Sequence, residues 1–360
     1  MEKVKLKDIA EAAGVRPSTV SLVLREQPKA QSFTRETRER ILSIAADMGF
    51  FVDRPRTPAG RQLRTIAFLL AGEIQDGWNN GFFIRFLNGI EEACREMGYN
   101  LEVMRCHASE FDEPHFPSRN HQRSVDGVVV TGYISEVLLR KIHEMRLPCV
   151  CLGEDLAGNQ NRFPIFCVNA VGMYLQIIRY LHSMNHCRII ALMEEREHQL
   201  ALGDELKEIL SRTGEMPQVE FRVMVNDSNY SDFRNGSDFL WRLVNWDDGP
   251  KPTAVICNER VGIGILRALP KFNLRCPEDL SIVIAGDGPM CDVSFPPLSA
   301  VAIDCEEIGY QATRTLISHL RQGKPVPFEC GRSDFPTRLN IRGSIRALES
   351  STRSGQSEQP

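Results

Sequence analysis

The chain has 360 residues, 42% of them hydrophobic, with 43 Lys and Arg against 47 Asp and Glu. That length suggests two or three folded units with ample core, so neither disulfides nor a metal is needed for stability. A formal net charge of −4 discounts a polyanionic partner, but the average conceals a split: residues 1–64 hold 13 Lys and Arg against eight acids, a surplus of +5 that leaves −9 on the remainder. A basic head on an acidic body is the asymmetry expected of a segment that meets a polyanion.

In chain order, Leu6, Ile9, Ala10 and Ala13 recur at helical spacing and predict a first helix of about two turns that stops at Gly14. Pro17 suits the first turn of a second helix, with Val20, Val23 and Leu24 on its inner side and Ser18, Thr19, Ser21 and Leu22 pointing elsewhere. A third helix is predicted from Thr34, its inward face Ile41, Ile44, Ala45 and Met48, closed by Gly49. Helix, short turn, helix and a bracing third helix make a helix-turn-helix DNA-binding unit. Small hydroxyls let such a helix approach the backbone closely and donate to phosphates, and the surrounding Arg and Lys neutralise them.

The stretch LKDIAEAAGVRPSTVSLVL, followed by TRETRERILSIAADMGF, resembles the headpiece of the LacI/GalR family of bacterial transcription regulators. The resemblance implies that residues 17–24 form the operator-reading helix. It also implies that Leu6, Arg16, Pro17, Ser18, Thr19, Ser21, Leu22, Arg25, Lys29 and Thr34 face DNA. Family members usually carry an Arg where this chain has Leu22. Leucine cannot form the bidentate bond to guanine, worth about 1–3 kcal/mol of discrimination, but it can contact a thymine methyl. Arg25 stands where an Asn is usual, and the loop from Glu26 to Phe33 is longer than the family's.

In the family, a hinge helix that orders on the operator and wedges a leucine into the minor groove follows the headpiece. Here residues 53–64 read DRPRTPAGRQLR, in which Pro55, Pro58 and Gly60 oppose a helix and Ala59 stands near the leucine position. An extended, phosphate-attracting strap carrying Arg56 and Arg61 is expected instead.

From Thr65, strand-sized apolar runs at 65–71, 101–104, 127–130, 148–153, 188–193, 221–225, 254–257, 281–285 and 299–304 alternate with amphipathic segments. The helical spacings lie at Phe83–Met97, Gly172–Met184, Leu200–Leu210, Phe233–Val244, Val261–Leu269 and Ile308–Leu320. Such alternation predicts parallel α/β sheets covered on both faces, and the length predicts two lobes. Segments such as NGFFIRFLNGIEEACREMGYNLEV, NERVGIGILRAL and PEDLSIVIAGD resemble the type I periplasmic-binding-protein fold that the family uses for effector binding and dimerisation. The expected fold is thus a small all-α helix-turn-helix headpiece on a two-lobed α/β body. Its expected parts are a headpiece at 1–53, a Pro- and Arg-rich linker at 54–64, an effector and dimerisation body at 65–345 and a disordered tail at 346–360.

Ligands in such folds lie between the lobes at the C-terminal ends of parallel strands. Asn80, Phe82, Phe83, Asn258 and Asp287 are the expected effector-binding residues, although helical spacing places Phe83 and Phe86 equally well in the core. Three family pocket positions are altered. An expected Arg falls at Leu200, an Asp-Asn pair reads Val168-Asn169, and the first of two paired Asp falls at Gly286. Without the Arg–Asp clamp on sugar hydroxyls, the effector is either unusual or absent.

The eleven cysteines form no C-x-x-C pair and sit mostly in apolar runs, where a free Cys behaves as a small hydrophobe. His182 and His186 stand four apart, but Asn185 between them reads as a helix end, so no metal and no cofactor is expected. The opening Met-Glu-Lys-Val-Lys-Leu-Lys lacks a signal-peptide core, and no apolar run approaches the ~20 residues of a membrane span, so a cytoplasmic protein is expected. No G-x-S-x-G, P-loop or G-x-G-x-x-G follows a strand, which leaves an enzyme without support. The expected function is a dimeric, sequence-specific repressor on double-stranded DNA, with a small-molecule effector as a further possible partner. The alternative is a sensor or scaffold with the same body and no operator binding.

Overall fold

Three short helices, α1 (Leu6–Ala13), α2 (Pro17–Leu24) and α3 (Arg35–Asp47), form the first unit of the computed structural model. It describes residues 5–24, 33–47, 64–72, 77, 81–106, 125–145, 147–153, 163–195, 197–227 and 232–349. The helices meet on the face that the apolar spacing predicts: Ile9, Ala10, Ala13, Val20, Val23, Leu24, Ile41 and Ala45 are all buried in one cluster. Leu6, Val15, Phe33 and Ile44 close its rim. The backbone N–H of Lys5 donates to Asp8 Oδ2 at 2.7 Å and starts α1. The hydroxyl of Thr34 accepts the Thr37 N–H at 3.2 Å and starts α3, one residue after the predicted first position. Met48 and Gly49, the predicted end of that helix, lie outside the described residues.

The second unit, from Arg64 onward, holds two six-stranded sheets. The first lobe contains β1 (Thr65–Ala71), β2 (Asn100–Cys106), β3 (Gly127–Gly132), β4 (Cys149–Leu152), β5 (Ile165–Val168) and β11 (Arg332–Phe335), in the order β11-β5-β4-β3-β1-β2 and all parallel. The second contains β6 (Arg188–Met193), β7 (Glu220–Val225), β8 (Ala254–Cys257), β9 (Ser281–Ala285), β10 (Ser299–Ile303) and β12 (Thr337–Asn340), in the order β12-β10-β9-β8-β6-β7. Only the last strand, β12, runs antiparallel to its neighbour.

Buried central strands read as continuous apolar runs because helices cover both faces. In the first lobe α4 (Gly81–Glu96) and α11 (Cys305–Gln322) lie on one face and α5 (Glu136–Glu144) on the other. In the second, α6 (Ala170–Ser183) and α7 (Glu197–Thr213) oppose α8 (Asp232–Val244), α9 (Glu259–Ala268) and the short α10 (Pro289–Val293). Helices α4 and α11 touch backbone to backbone. A Cβ on Gly89 would collide with the Glu306 carbonyl, and one on Gly309 with that of Phe86. The chain passes between lobes after β5, after β10 and between β11 and β12, so the hinge has three strands.

Five elements escape the apolar-run reading: α5, α10, β5, β11 and β12. Hydrogen bonding to the second lobe also continues past residue 345, where the sequence places the start of a tail. Arg346 donates its N–H to Ser281 Oγ, and Leu348 donates to the Met184 carbonyl. All eleven cysteines are free, and burial pushes the thiols of Cys94, Cys276, Cys291 and Cys305 up to about 12. His186 lies beyond the end of α6 and is wholly buried, bonded to Thr253 and to the Arg346 carbonyl. Among the described residues no group of three or more His, Cys, Asp and Glu is placed to hold a metal, and no helix is long and apolar enough to cross a membrane.

Candidate nucleic-acid interface and inter-lobe contacts

Helix α2 has two unlike sides. Val20, Val23 and Leu24 are buried against α1 and α3. On the opposite side Ser18, Ser21 and Leu22 fall at i, i+3 and i+4, with Ser18 exposed and the other two half-buried. Arg16 and Pro17 are exposed where the chain enters the helix. The Arg16 carbonyl accepts from Thr19 and Val20, and Pro17 at the first position has no N–H to leave unpaired. A cationic residue and small hydroxyls therefore converge on one short helix held by an apolar cluster.

Two expected interface residues have other work. Leu6 packs on the head's core, and the Thr34 hydroxyl is engaged in capping α3. Arg25, Lys29, Arg56 and Arg61 lie outside the described residues, as do the long loop before Phe33 and the connector up to Leu63.

In the body, the expected effector residues follow the C-terminal ends of strands in the two lobes. Phe82 and Phe83 stand in the first turn of α4. The Phe82 ring packs edge-on to Phe83 and to the buried Phe86, at centroid distances of 5.3 and 5.4 Å. Phe82 thereby joins the core, and Phe83 stays half-buried at its margin. Asn258 caps α9, its Oδ1 accepting the Val261 N–H at 2.9 Å, and Asn169 caps α6 through Gly172 at 2.8 Å. Asn80 is outside the described residues.

Asp287, on the loop after β9, is held from within through one carboxylate oxygen, while its Oδ1 is buried without a hydrogen-bond partner. Its Oδ2 accepts from Asn340 Nδ2 at 2.7 Å and from Arg342 Nη2 at 2.8 Å, and its N–H donates to the Val301 carbonyl. Burial pushes its carboxyl pKa up, but the hydrogen bonds from Arg342 and Asn340 and the Arg342 charge outweigh that and hold it below the ordinary value. Among the described residues, side-chain hydrogen bonds cross between the lobes. Arg85 on α4 donates to the carbonyls of Asp287 and Ile303, and Tyr133 Oη lies 3.5 Å from Glu194 Oε2.

Residues 5–52 match the bacterial regulatory proteins of the lacI family, and residues 178–345 match the periplasmic binding protein-like domain. The HTH-type transcriptional repressor MelR of Bacillus subtilis (strain 168) is 26% identical over 354 residues, covering 95% of this chain and 97% of the relative. The chain carries a lacI-family regulatory domain and a periplasmic binding protein-like domain. It is a DNA-binding transcription regulator and not an enzyme. Its fold is that of a solved transcriptional regulator CelR–cellobiose complex, with a TM-score of 0.68 at 21% identity over 95% of this chain and 99% of that one. It is also that of a lac repressor dimer bound to operator and the anti-inducer ONPF, with a TM-score of 0.64 at 20% identity over 96% and 100%.

Within this lacI-family frame the altered positions gain a physical reason. Gly286 has φ +110°, a backbone conformation in which an aspartate would be strained, so this loop cannot carry two adjacent acids in the same shape. Leu200 is a half-exposed aliphatic residue on α7. Arg85 and Arg342, which organise the region, carried no signal in the linear sequence. Arg85 sits inside an ordinary amphipathic pattern, and Arg342 lies 55 residues from the carboxylate it meets.

Proposed function

We propose that the chain represses transcription as a homodimer in the cytoplasm, setting two copies of α2 into successive major grooves of a near-palindromic operator. The observation that carries this is the outer face of α2, with Arg16, Pro17, Ser18, Thr19, Ser21 and Leu22 presented against a buried inner face. The surplus of +5 on residues 1–64 supports phosphate contacts there, with Arg25, Lys29, Arg56 and Arg61 as further partners. Leu22 contacts an apolar base edge, a thymine methyl. Bound at a promoter, the dimer acts by excluding polymerase. MelR is named a repressor, and the lac repressor of shared fold was solved as a dimer on its operator, which supports both direction and stoichiometry.

Two apolar surfaces support dimerisation through the body. On the first lobe a groove of about 590 Å³ is lined by Leu87, Leu101 and Val103 beside Asn88, Glu91, Glu92 and Arg95. On the second, Val293 and Phe295 are 80% and 95% exposed next to Ile263 and Leu266. Apolar groups this open are expected to be covered by a partner.

The region between the lobes is the place for a small-molecule effector, and the CelR of shared fold was solved as a cellobiose complex, which supports a small-molecule ligand. Asp287 Oδ2 is taken by Asn340 and Arg342, Asn258 Oδ1 caps α9, and Val168, Leu200 and Gly286 stand where the family has its sugar-clamping groups, which favours an effector other than a common sugar. The working units are a head at 1–53, a strap at 54–64 and a body from 65.

Selection of bound DNA from a random pool tests the reading. Enrichment of a near-palindromic site, with affinity that falls steeply as salt rises, is the expected result. Failure to retain any fragment at low salt overturns it and leaves the sensor or scaffold reading.

A further inference from the structure

The guanidinium of Arg85 spans the hinge. It leaves the fifth position of α4 in the first lobe. Nη1 donates to the Asp287 carbonyl at 2.7 Å and Nη2 to the Ile303 carbonyl at 2.6 Å. Both acceptors lie at the C-terminal edge of the second lobe's sheet, one after β9 and the other at the end of β10, where the chain crosses back to the first lobe. The Asp287 N–H bonded to the Val301 carbonyl ties those two sites to each other.

Both ends of the bridge are rigid. Behind Arg85, α4 is pressed backbone to backbone on α11 at Gly89 and Gly309, and Asn88 Nδ2 donates to Glu306 Oε1 at 2.9 Å one turn further on. Behind Asp287, Asn340 and Arg342 hold the carboxylate. Neither side can follow the other, so a change in the angle between the lobes at this crossing must break two charge-assisted hydrogen bonds.

We infer that Arg85 is a built-in latch, fixing the relative arrangement of the two lobes in the ligand-free protein so that operator affinity does not depend on a bound small molecule. The second half rests on the regulator reading above. The first half does not, because it concerns the free protein alone. A planar fork aimed at two carbonyls does in this chain what a ligand bridging two lobes does elsewhere, and needs no occupant.

Hydrogen–deuterium exchange on the full chain without DNA tests the latch. In Arg85→Ala, amides of 285–288 and 301–305 should exchange about tenfold faster, the scale of losing a charge-assisted hydrogen bond. Amides along the α4–α11 contact should not change. Arg85→Lys retains the stem and the charge but cannot fork to two carbonyls, so about threefold faster exchange at the same segments is expected. Exchange within twofold of the parent in both variants overturns the latch. Should Arg85→Ala also loosen α4, the lysine variant decides, and parental exchange there overturns the proposal. The second arm titrates parent and Arg85→Ala on a selected DNA site, where about tenfold weaker binding is expected. Faster exchange with unchanged DNA affinity overturns the coupling to the operator. A parent that retains no DNA at all instead removes the regulator reading and leaves the exchange result standing.

Discussion

Arg342 Nη2 meets Asp287 Oδ2 at 2.8 Å, with the two side chains only 19% and 10% exposed. A pair so sheltered is worth little as a net stabiliser, but removing one partner strands the other charge away from water. Replacing Asp287 with Asn should therefore lower the stability of the ligand-free body by about 3 kcal/mol, toward the low end of the range for breaking buried pairs. Denaturant unfolding of parent and variant without any added small molecule measures it. A variant as stable as the parent would mean that the carboxylate is free for an effector after all.

The head depends on one small cluster. Ile41 on α3 is completely buried against α1 and α2, so Ile41→Ala removes methyl and methylene groups that the three short helices cannot replace, costing about 2–5 kcal/mol. A unit of this size has little stability to spare. DNA binding should be lost, while thermal melting of the body is unchanged because the two units have separate cores. Retained binding in a gel-shift titration would contradict this.

Leu22 offers a gain-of-contact test. It is half-buried on the outer face of α2 and has no hydrogen-bonding group to offer a base. Leu22→Arg should introduce a guanine preference worth about 1–3 kcal/mol at one base pair of each half-site. Selection from a random pool with parent and variant would expose it. A parental site that already requires guanine there would refute the methyl contact.

Both sets of sites were partly legible in the sequence, and the division has a physical basis. Apolar periodicity fixes which side of a helix or strand is buried, so α2, β1, β6, β8 and β9 follow directly from runs such as TIAFLLA and AVIC. The strands β11 and β12, RSDF and TRLN, are short and polar, and only pairing with distant strands makes them strands. Helix α5 was readable, since Ser135 caps it and Leu138, Leu139 and Ile142 share its inner face, but it is barely two turns long. The expected pocket residues show the opposite limit. Asn258 and Asp287 carry the right chemistry at the right strand ends, yet Asn258 Oδ1 is bonded to Val261 and Asp287 Oδ2 to Asn340 and Arg342. Composition cannot reveal whether a carboxylate oxygen is already engaged.

His186 should make the body acid-sensitive. Burial, first, and the nearby Arg346 and Arg188 charges lower its pKa, outweighing the hydrogen bond to the Arg346 carbonyl that favours the cation. A histidine whose pKa is depressed by folding binds its proton more readily in the unfolded chain. Its neutral form is stabilising at and above the unfolded value of about 6.5, and that contribution is lost as pH falls from there toward the folded pKa. The melting temperature should drop more between pH 7 and 5 in the parent than in His186→Asn. Parallel pH profiles for the two proteins would rule out His186 as the source.

Phe295 is the most open of the large apolar side chains among the described residues, 95% exposed beside Val293 at 80%. Left in water, such a ring forgoes about 1.5–3 kcal/mol of burial that a second copy would supply. In a dimer reading two half-sites, the loss of subunit contact weakens DNA binding by separating what were linked events, without altering either head. Phe295→Glu places a charge where a partner's apolar surface would lie, and desolvating that charge opposes association. Sedimentation at micromolar concentration should therefore shift from dimer toward monomer, with affinity for a full near-palindromic site falling and affinity for a single half-site unchanged. The half-site arm separates the two possible failures: a loss on both DNAs would point to damage in the fold, and no change in sedimentation would remove this face from the dimer contact.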